Sequence, residues 1–341
     1  MDVKNFSCDK PIFVIGTPRS GTTLTAKILG SHSSIFMPGE THYFSDIYSR
    51  QKEIGDLCEQ KSRARLWEKL INLYAKFNEP ADQGRIDRLL KNGEFVRSLR
   101  GATCDYGETF KVFMCLQMEF SEKKRWGNNV PKDIFHVSEI RAIFPDAKFI
   151  LCVRDVRDFL GSYKSKWKAT SEENVDRIKK LYHPAVTSYL WKASMRLLPI
   201  LKKDLGDESL FILPYEKLVA DPEVEIKKVC DFLGEMFESE MLNVAFSNSS
   251  GVASEKGVYS SSVGAWQSRL SPEECWIAQR VAKKEMIKLG YELKKIKPGQ
   301  VNLWLLILSA PFALWRGLAA NKKNTGPVIP YLFKRLRSLI S

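Results

Sequence analysis

Three stretches of the chain are apolar over the length of a strand, and each is followed by helix-forming sequence. They are IFVIG at residues 12–16, AKFILCVRD at 147–155 and SLFILPYE at 209–216. Short, uninterrupted apolar runs are typical of strands buried on both faces of a parallel sheet. Because strands alternate with helices along the chain, the pattern predicts an α/β fold with a parallel sheet and helices on both of its faces.

Helical periodicity appears directly after the first strand and again in a long segment before the second. Residues 20–30, SGTTLTAKILG, have Ser and Gly at the start and Gly30 at the end, as expected for a helix. In SRARLWEKLINLYAK (62–76), apolar residues recur every three to four positions, and Ser62 is a suitable N-cap. We therefore expect residues 45–125 to form a mainly helical insert.

The domain organisation follows from the absence of linkers. The first 290 of the 341 residues contain no internal repeat and no Pro-, Gly- or Ser-rich stretch, and 44% of the chain is hydrophobic. This predicts one folded domain over residues 1–290 and a tail over residues 291–341.

The positive charge of the chain is concentrated in that tail. The net charge is +13, and nine Lys or Arg against one acid give residues 291–341 a surplus of +8. The +5 that remains for residues 1–290 is too small for a groove that binds a polyanion, so the sequence predicts no nucleic-acid partner.

The cysteines and the N-terminal residues indicate the cellular compartment of the protein. The seven cysteines are scattered, and none forms a C-x-x-C pair or a cluster with metal-ligand spacing. This predicts a reducing compartment and no metal site. The first ten residues, MDVKNFSCDK, lack the basic and apolar regions of a secretory signal. We therefore expect a cytoplasmic protein.

The turn after the first strand, GTPRSGTT at residues 16–23, has the composition of an anion-binding loop. Gly16 and Gly21 keep the spacing of the phosphate loop G-x-x-x-x-G-K-[ST], but Thr22 replaces the lysine and Arg19 supplies a cation inside the loop. A guanidinium and three hydroxyls beside a helix N-terminus favour a bound phosphate or sulfate group over an empty turn.

The segment PIFVIGTPRSGTT (11–23) resembles the 5′-phosphosulfate-binding loop of sulfotransferases that use 3′-phosphoadenosine 5′-phosphosulfate (PAPS). The similarity is to the branch that includes tyrosylprotein sulfotransferases and bacterial carbohydrate-type enzymes. The resemblance implies a P-loop-like three-layer fold. It also assigns five loop residues to donor binding: Arg19, Ser20, Gly21, Thr22 and Thr23.

A second segment, AKFILCVRDVRDFLGSY (147–163), is similar to the signature with which this family binds the 3′-phosphate of the donor. The resemblance assigns that role to Arg154 and Ser162. Arg154 ends an apolar strand, and ligands of open α/β sheets bind outside the carboxyl ends of the strands. Taken alone, the charges of residues 154–158 would be interpreted as a solvated cluster at a helix start.

Two further segments extend the resemblance to residues 11–290. LPYEKLVADPEVEIKKVCDFLG (213–234) resembles a mainly architectural stretch, and SSSVGAWQSRLSPEE (260–274) resembles the loop that closes over the nucleotide. We expect Lys256 and Gly257 to reach the 3′-phosphate. Trp266 is interpreted as a core residue in preference to a stacking platform.

The resemblance also implies a catalytic set. Glu40, in MPGETHYF (37–44), stands where the family has its general base, and we expect aromatic neighbours to desolvate its carboxylate. Lys132 stands where the family has a lysine on the bridging oxygen of the donor, although this chain continues Lys-Asp-Ile where many relatives have Lys-Thr-Pro. His136 corresponds to a histidine that orients donor or acceptor, and Arg19 is expected to stabilise the leaving phosphate. The structural alternatives are an ion-paired loop carboxylate for Glu40 and a packing role for His136.

Together these residues predict in-line transfer of a sulfuryl group from PAPS to an acceptor hydroxyl or amine, with 3′-phosphoadenosine 5′-phosphate (PAP) as product and no metal ion. The alternatives are a nucleotide-dependent small-molecule kinase, which would lack its lysine and its metal-binding aspartate, and a membrane-bound scaffold with a relic pocket. The expected acceptor is a carbohydrate or lipid-linked glycan, with tyrosine as a further candidate.

The tail contains an apolar segment, VNLWLLILSAPFALW (301–315), with basic residues on both sides. It is shorter than the ~20 residues of a spanning helix. Tryptophans and basic flanks are typical of a helix lying in an anionic membrane surface. We therefore expect peripheral attachment through residues 301–337 to the inner face of a membrane, the alternative being a helix packed on the domain.

Overall fold

The computed structural model of the chain describes residues 10–77, 104–165, 172–244 and 261–325. Its centre is a five-stranded sheet with the order β2-β3-β1-β4-β5. The pairs β1–β3, β1–β4 and β2–β3 are parallel. The strands are β1 (Ile12–Gly16), β2 (Ile35–Phe36), β3 (Arg125–Asn129), β4 (Lys148–Val153) and β5 (Leu210–Pro214).

The apolar runs of the sequence form the strands because they fill the inside of this sheet. Every residue of β1 is buried, and its register pairs Phe13 with Phe149 of β4. The Phe13 ring lies 5.6 Å from the Phe149 ring and 5.7 Å from the ring of Trp126 on β3. Aromatic contacts of this kind add to the free energy gained by burying the rings.

Along the chain, helices lie between the strands and after the last one. In chain order they are α1 (Thr22–Gly30), α2 (Tyr43–Asp46), α3 (Gln51–Ile54), α4 (Gln60–Phe77), α5 (Tyr106–Phe120), α6 (Val137–Ile143), α7 (Val156–Lys164), α8 (Glu172–Leu181), α9 (Pro184–Met195), α10 (Leu198–Ser209), α11 (Tyr215–Ala220), α12 (Pro222–Leu233), α13 (Trp266–Arg269), α14 (Pro272–Lys288) and α15 (Gln300–Thr325).

The chain divides into two compact units. The sheet unit lies within Met1–Cys152, Leu205–Leu213 and Asp221–Val244, and the helical unit within Val153–Asp204, Pro214–Ala220 and Ala245–Ser341. The sheet unit therefore contains β1 to β3, nearly all of β4 and β5, and the glycine-rich loop. The domain boundary predicted at residue 290 stays a prediction.

The described part of the predicted insert is mainly helical, with α2 to α5 and a 3₁₀ turn at Tyr48–Arg50. Residues 78–103 lie outside the described residues. The periodic residues of α4 face inward, since Leu66, Leu70 and Tyr74 are fully buried. Helical spacing in the sequence thus predicted the buried face of α4.

Cys58 and Cys104 form a disulfide that joins two parts of this insert. The scattered cysteine pattern did not predict this bond. Disulfides persist in oxidising compartments, so the bond is at odds with the reducing compartment that the sequence indicated. The cytoplasmic location stays a prediction.

The helical unit is built from long helices packed on one another. The helices α7, α9 and α14 contact each other, and α15 lies against α8, α9 and α14. Ser271 caps α14 in a capping box, in which its side chain accepts from the Glu274 amide and the Glu274 side chain accepts from the Ser271 amide.

Candidate active site

The loop between β1 and α1 approaches the neighbouring strand so closely that its first residue has to be glycine. Gly16 has φ 148°, and a Cβ atom there would lie 2.5 Å from the carbonyl oxygen of Cys152 on β4. At the other end of the loop, Gly21 is the N-cap of α1 with φ 92°. Both glycines that the motif requires are therefore explained by backbone geometry.

Arg19 also has a left-handed backbone, with φ 74°. This conformation costs an L-residue roughly 1–2 kcal/mol, and such strain is concentrated at functional sites. The hydroxyls of Thr17 and Ser20 contact each other, and the Ser20 amide donates to the Thr17 carbonyl at 3.2 Å. The loop is thus a tight, internally bonded turn with a half-buried arginine.

The remaining predicted donor residues lie at the start of α1. Thr22 is buried and Thr23 is exposed, while the hydroxyl of Thr25 donates to the Gly21 carbonyl at 3.1 Å. The first amides of any α-helix have no acceptor within the helix and stand at the positive end of its dipole. The loop and the first turn of α1 therefore form a suitable binding place for one anionic group.

Glu40 lies beside a buried histidine that the sequence analysis missed. Its Oε2 atom lies 2.8 Å from Nε2 of His42, and Nδ1 of His42 lies 3.9 Å from Oδ2 of Asp46. His42 is buried and has φ 50°, a second left-handed non-glycine residue close to the predicted chemistry. The imidazole is held between two carboxylates and orients the carboxylate of Glu40.

A buried carboxyl group, that of Asp133, adds a further acidic side chain to this part of the sheet unit. Asn128 donates from Nδ2 to Oδ2 of Asp133 at 2.9 Å, and Thr41 donates to Oδ1 of Asn128 at 2.9 Å. Burial raises the pKa of Asp133 well above its usual value, and the charges of Glu40 and Asp46 raise it further. The environment of Asp133 therefore favours the protonated, uncharged form of its carboxyl group.

Lys132 and His136 lie in and after the 3₁₀ turn Pro131–Phe135, which follows β3. The Lys132 side chain is exposed. His136 is buried, and its Nδ1 lies 3.5 Å from Oε1 of Glu139 on α6. The contact with Glu139 agrees with a packing role for His136, whereas Lys132 is accessible to a ligand.

In the helical unit, Arg154 is a buried cation that follows β4 directly. Its guanidinium lies 4.3 Å from the ring centroid of Tyr215 and donates from Nη2 to the carbonyl of Ser262 at 2.9 Å. Its own carbonyl accepts from Nε1 of Trp191 at 2.8 Å. The Tyr215 hydroxyl lies 2.6 Å from the hydroxyl of Ser262. Arg154 is therefore held in place on three sides.

The charges that follow Arg154 are buried, in contrast to the solvated cluster that sequence alone would suggest. Asp155 accepts from the Arg157 amide as N-cap of α7 and pairs with the Arg157 guanidinium, with Nη2 at 2.6 Å from Oδ2. Asp158 accepts from the amides of Gly264 and Trp266 at 2.8 and 2.9 Å. Asp158 thereby attaches the described part of the predicted closing loop to α7.

Ser162 is buried on α7, in the same unit as Arg154. The ring of Trp266 lies 4.6 Å from the guanidinium carbon of Arg157, a cation–π contact with a half-buried tryptophan. Lys256 and Gly257 lie outside the described residues. Within the described part of the chain, no three His, Cys, Asp or Glu residues form a group that could hold a metal ion.

The model of the Sulfotransferase family matches residues 11–239. The chain is similar to the nodulation protein NoeE of Sinorhizobium fredii, with 24% identity over 82% of this chain and 65% of that protein. It is also similar to protein-tyrosine sulfotransferase A of Caenorhabditis elegans, with 20% identity over 68% of this chain and 52% of that protein. The chain thus spans between about half and two thirds of the length of these relatives.

Among solved structures, the fold resembles the sulfotransferase domain from the olefin synthase of Synechococcus PCC 7002. The TM-score is 0.53 at 20% identity, and the match covers 84% of this chain and 98% of that domain. At this identity the likeness concerns the fold alone. It confirms the predicted P-loop-like α/β fold.

Proposed function

The chain belongs to the sulfotransferase family, and from this premise we propose that it transfers a sulfuryl group from PAPS to an acceptor hydroxyl or amine and releases PAP. The observation that carries the proposal is the family match over residues 11–239, which includes the glycine-rich loop, Glu40 and Arg154. The same match favours sulfuryl transfer over the kinase chemistry considered from the loop alone.

In the proposal, the glycine-rich loop after β1 binds the 5′ end of the donor. The phosphosulfate is surrounded by Arg19, Ser20 and the helix start at Gly21–Thr23, because open amides and a guanidinium suit a doubly charged group. Arg154 and Ser162 are proposed to bind the 3′-phosphate. Lys256 and Gly257, outside the described residues, are proposed for the same phosphate.

Glu40 is the proposed general base. It accepts the proton of the acceptor while the acceptor atom forms its bond to sulfur, and the bond from sulfur to the phosphate oxygen of the donor breaks with its electron pair on PAP. Arg19 and Lys132 stabilise the charge that develops on that phosphate oxygen. His42 is a positioning residue, since its 2.8 Å contact limits the directions in which the Glu40 carboxylate can point.

For the acceptor we propose a carbohydrate or a lipid-linked glycan, with tyrosine as the further candidate. The name of one relative, protein-tyrosine sulfotransferase A, supports testing tyrosine. We propose that the reaction needs no metal ion, because its charges can be balanced by the cationic side chains named above.

The test is sulfuryl transfer by the purified chain from radiolabelled PAPS to three acceptor pools: oligosaccharides, tyrosine peptides and a cell-envelope extract. Glu40→Gln is expected to lower kcat by about 10²–10⁴-fold, while PAP binding measured by calorimetry stays within twofold. The matched control is Glu53→Gln, which changes a mostly exposed glutamate of the same unit, 4.0 Å from Arg50, and should leave both quantities unchanged.

The outcomes separate the parts of the proposal. Full activity in Glu40→Gln removes Glu40 from the role of base. Loss of PAP binding in the same variant makes Glu40 structural. A wild-type chain that neither binds PAP nor labels any pool contradicts the proposed function itself.

A further inference from the structure

The last described helix, α15, has the length and composition of a membrane segment. It runs over 26 residues, Gln300–Thr325, which at 1.5 Å per residue is about 39 Å. Its part Gln300–Ala319 is long and apolar enough to cross a membrane, and 11% of the most apolar window is buried. Length and composition alone do not distinguish a spanning helix from one that lies flat.

One face of α15 packs on the helical unit along much of the apolar segment. Leu303 and Ala313, ten residues apart, are each only 6% exposed. Between them, Nε2 of His183 lies 3.2 Å from both the Leu306 carbonyl and the Ser309 hydroxyl. The helix therefore lies along the surface of α8, α9 and α14 and does not project away from it.

The opposite face is exposed and apolar. Six of its side chains are between 59% and 74% exposed, and their spacing of mostly three to four residues places them in one row, which we name the outer stripe: Val301, Trp304, Leu305, Leu308, Phe312 and Trp315. Soluble monomers rarely expose an apolar patch of this kind, and such patches mark interaction sites.

The charges around the outer stripe indicate what covers it. The sequence of α15 contains no acidic residue, Lys294, Lys295 and Lys297 precede it, and Arg316, Lys322 and Lys323 lie in its C-terminal part. Two copies of the stripe packed face to face would bring these basic ends together in either direction, which is unfavourable. An anionic lipid surface complements both the apolar row and its basic ends.

We propose that the outer stripe inserts flat into the surface of an anionic bilayer while the inner face of α15 stays on the helical unit. A spanning helix would have to give up the burial of Leu303 and Ala313 and the contacts of His183. An in-plane helix keeps them and removes the outer stripe from water. The two tryptophans then lie at the interface, where their rings are most stable. This attachment does not depend on the proposed chemistry.

The experiment is co-sedimentation of the full chain with two kinds of vesicle. One kind contains phosphatidylcholine alone, and the other contains in addition about 30% of the anionic lipid phosphatidylglycerol, which attracts basic flanks. We expect binding at least tenfold tighter to the anionic vesicles, weakened by high salt. Trp304→Ser/Leu308→Ser/Phe312→Ser should lower vesicle binding at least tenfold. The matched control, Tyr189→Ser/Ile200→Ser/Ile287→Ser, changes exposed apolar side chains elsewhere in the helical unit and should bind as the wild type does.

Three results would overturn the proposal. The first is a wild-type chain that binds neither kind of vesicle. The second is a stripe variant that binds vesicles as tightly as the control variant does. The third is resistance to extraction at alkaline pH and high salt, which would indicate a spanning helix. Circular dichroism and a thermal unfolding curve for each variant separate lost lipid contact from lost folding. A chain that binds vesicles without sulfuryl transfer would leave this inference standing while the proposed function fails.

Discussion

Around Glu40 three carboxyl groups and one imidazole occupy a small part of the sheet unit, and their environments differ. Glu40 contacts His42 at 2.8 Å, whereas Asp133 is fully buried and receives a hydrogen bond from Asn128. The charge of Glu40 is one cause of the raised pKa of Asp133. Burial and neighbouring charges thus favour the protonated form of Asp133, an acid that lies in the same part of the sheet unit as Glu40.

Asp133→Asn is expected to stabilise the protein increasingly as pH rises. In the unfolded chain this carboxyl loses its proton near pH ~4, whereas burial in the folded state raises its pKa and favours the protonated form. The folded state therefore holds more protons than the unfolded state, so rising pH lowers the free energy of unfolding of the wild type. The amide cannot ionise, and its oxygen can still accept from Asn128.

The measurement is urea unfolding of both proteins at pH 5 and pH 8. The difference between variant and wild type should be larger at pH 8. A constant difference at the two pH values would show that Asp133 ionises normally in the folded protein. Asp146→Asn, which changes an exposed aspartate of the same unit, is the control.

Part of the candidate site could be predicted, residue by residue, from the sequence. Glu40, Arg19 and Arg154 were identified because they stand in motifs that resemble those of a family. His42 stands two positions from Glu40, but an isolated histidine in a sequence is more often structural than functional. Asp133 was noticed only as a departure from the family pattern, since its burial depends on packing against residues that are remote in the sequence.

At the scale of elements, the β1–loop–α1 unit is the one that the sequence described best. The strand was predicted at residues 12–16 and is found there, and the helix begins at Thr22, two residues after the predicted start. Local periodicity and two glycines are sufficient for this prediction because all the determinants lie within 20 residues. The close approach of Gly16 to β4 is the one feature of the unit that only the sheet determines.

Gly16→Ala should weaken both folding and donor binding. The new Cβ would lie 2.5 Å from the Cys152 carbonyl oxygen, so the loop has to move away from β4, at a cost of about 1–3 kcal/mol for strained backbone. Urea unfolding and calorimetric titration with PAP measure the two effects.

Gly234→Ala is the matched control for this substitution. Gly234 has φ 73° and nothing within 4 Å of the added Cβ, so alanine there should cost the left-handed conformation alone, roughly 1–2 kcal/mol, with PAP affinity unchanged. If Gly16→Ala bound PAP as tightly as this control, the loop geometry would not matter for the donor.

The helix α15 of the tail was predicted less completely than the β1–loop–α1 unit. The sequence indicated an apolar segment with basic flanks, and α15 forms there as a continuous helix. Which of its faces is covered by protein could not be predicted, because apolar residues occur on all sides of the helix. The contacts with α8, α9 and α14 decided that.

At the scale of the whole molecule, the disulfide Cys58–Cys104 closes a sequence separation of 46 residues in the sheet unit. Cys58→Ala/Cys104→Ala is expected to lower the free energy of unfolding by about 2–4 kcal/mol, since the bond restricts the unfolded chain. Urea unfolding of variant and wild type measures this. The control is Cys230→Ala, which removes a free buried thiol and leaves the loop closed.

The effect of reducing agent distinguishes a formed bond from two neighbouring thiols. If the disulfide forms, dithiothreitol should destabilise the wild type more than the double variant. Equal stability of the wild type with and without reductant would mean that the chain folds equally well with free thiols. That result would restore the reducing, cytoplasmic setting that the cysteine pattern indicated.

The sequence by itself determined three of the five described strands, the glycine-rich loop after β1 and the family, because each of these is encoded in contiguous residues whose spacing and composition can be interpreted locally. The strands β2 and β3 carry no apolar run of strand length and were not predicted. Only the tertiary structure decided the burial of Asp133, the partner of Cys58, the hydrogen bonds that hold Arg154 and the exposed face of α15. These features arise from contacts between residues that are far apart in the chain, and the free energy of such contacts depends on packing that no local pattern contains.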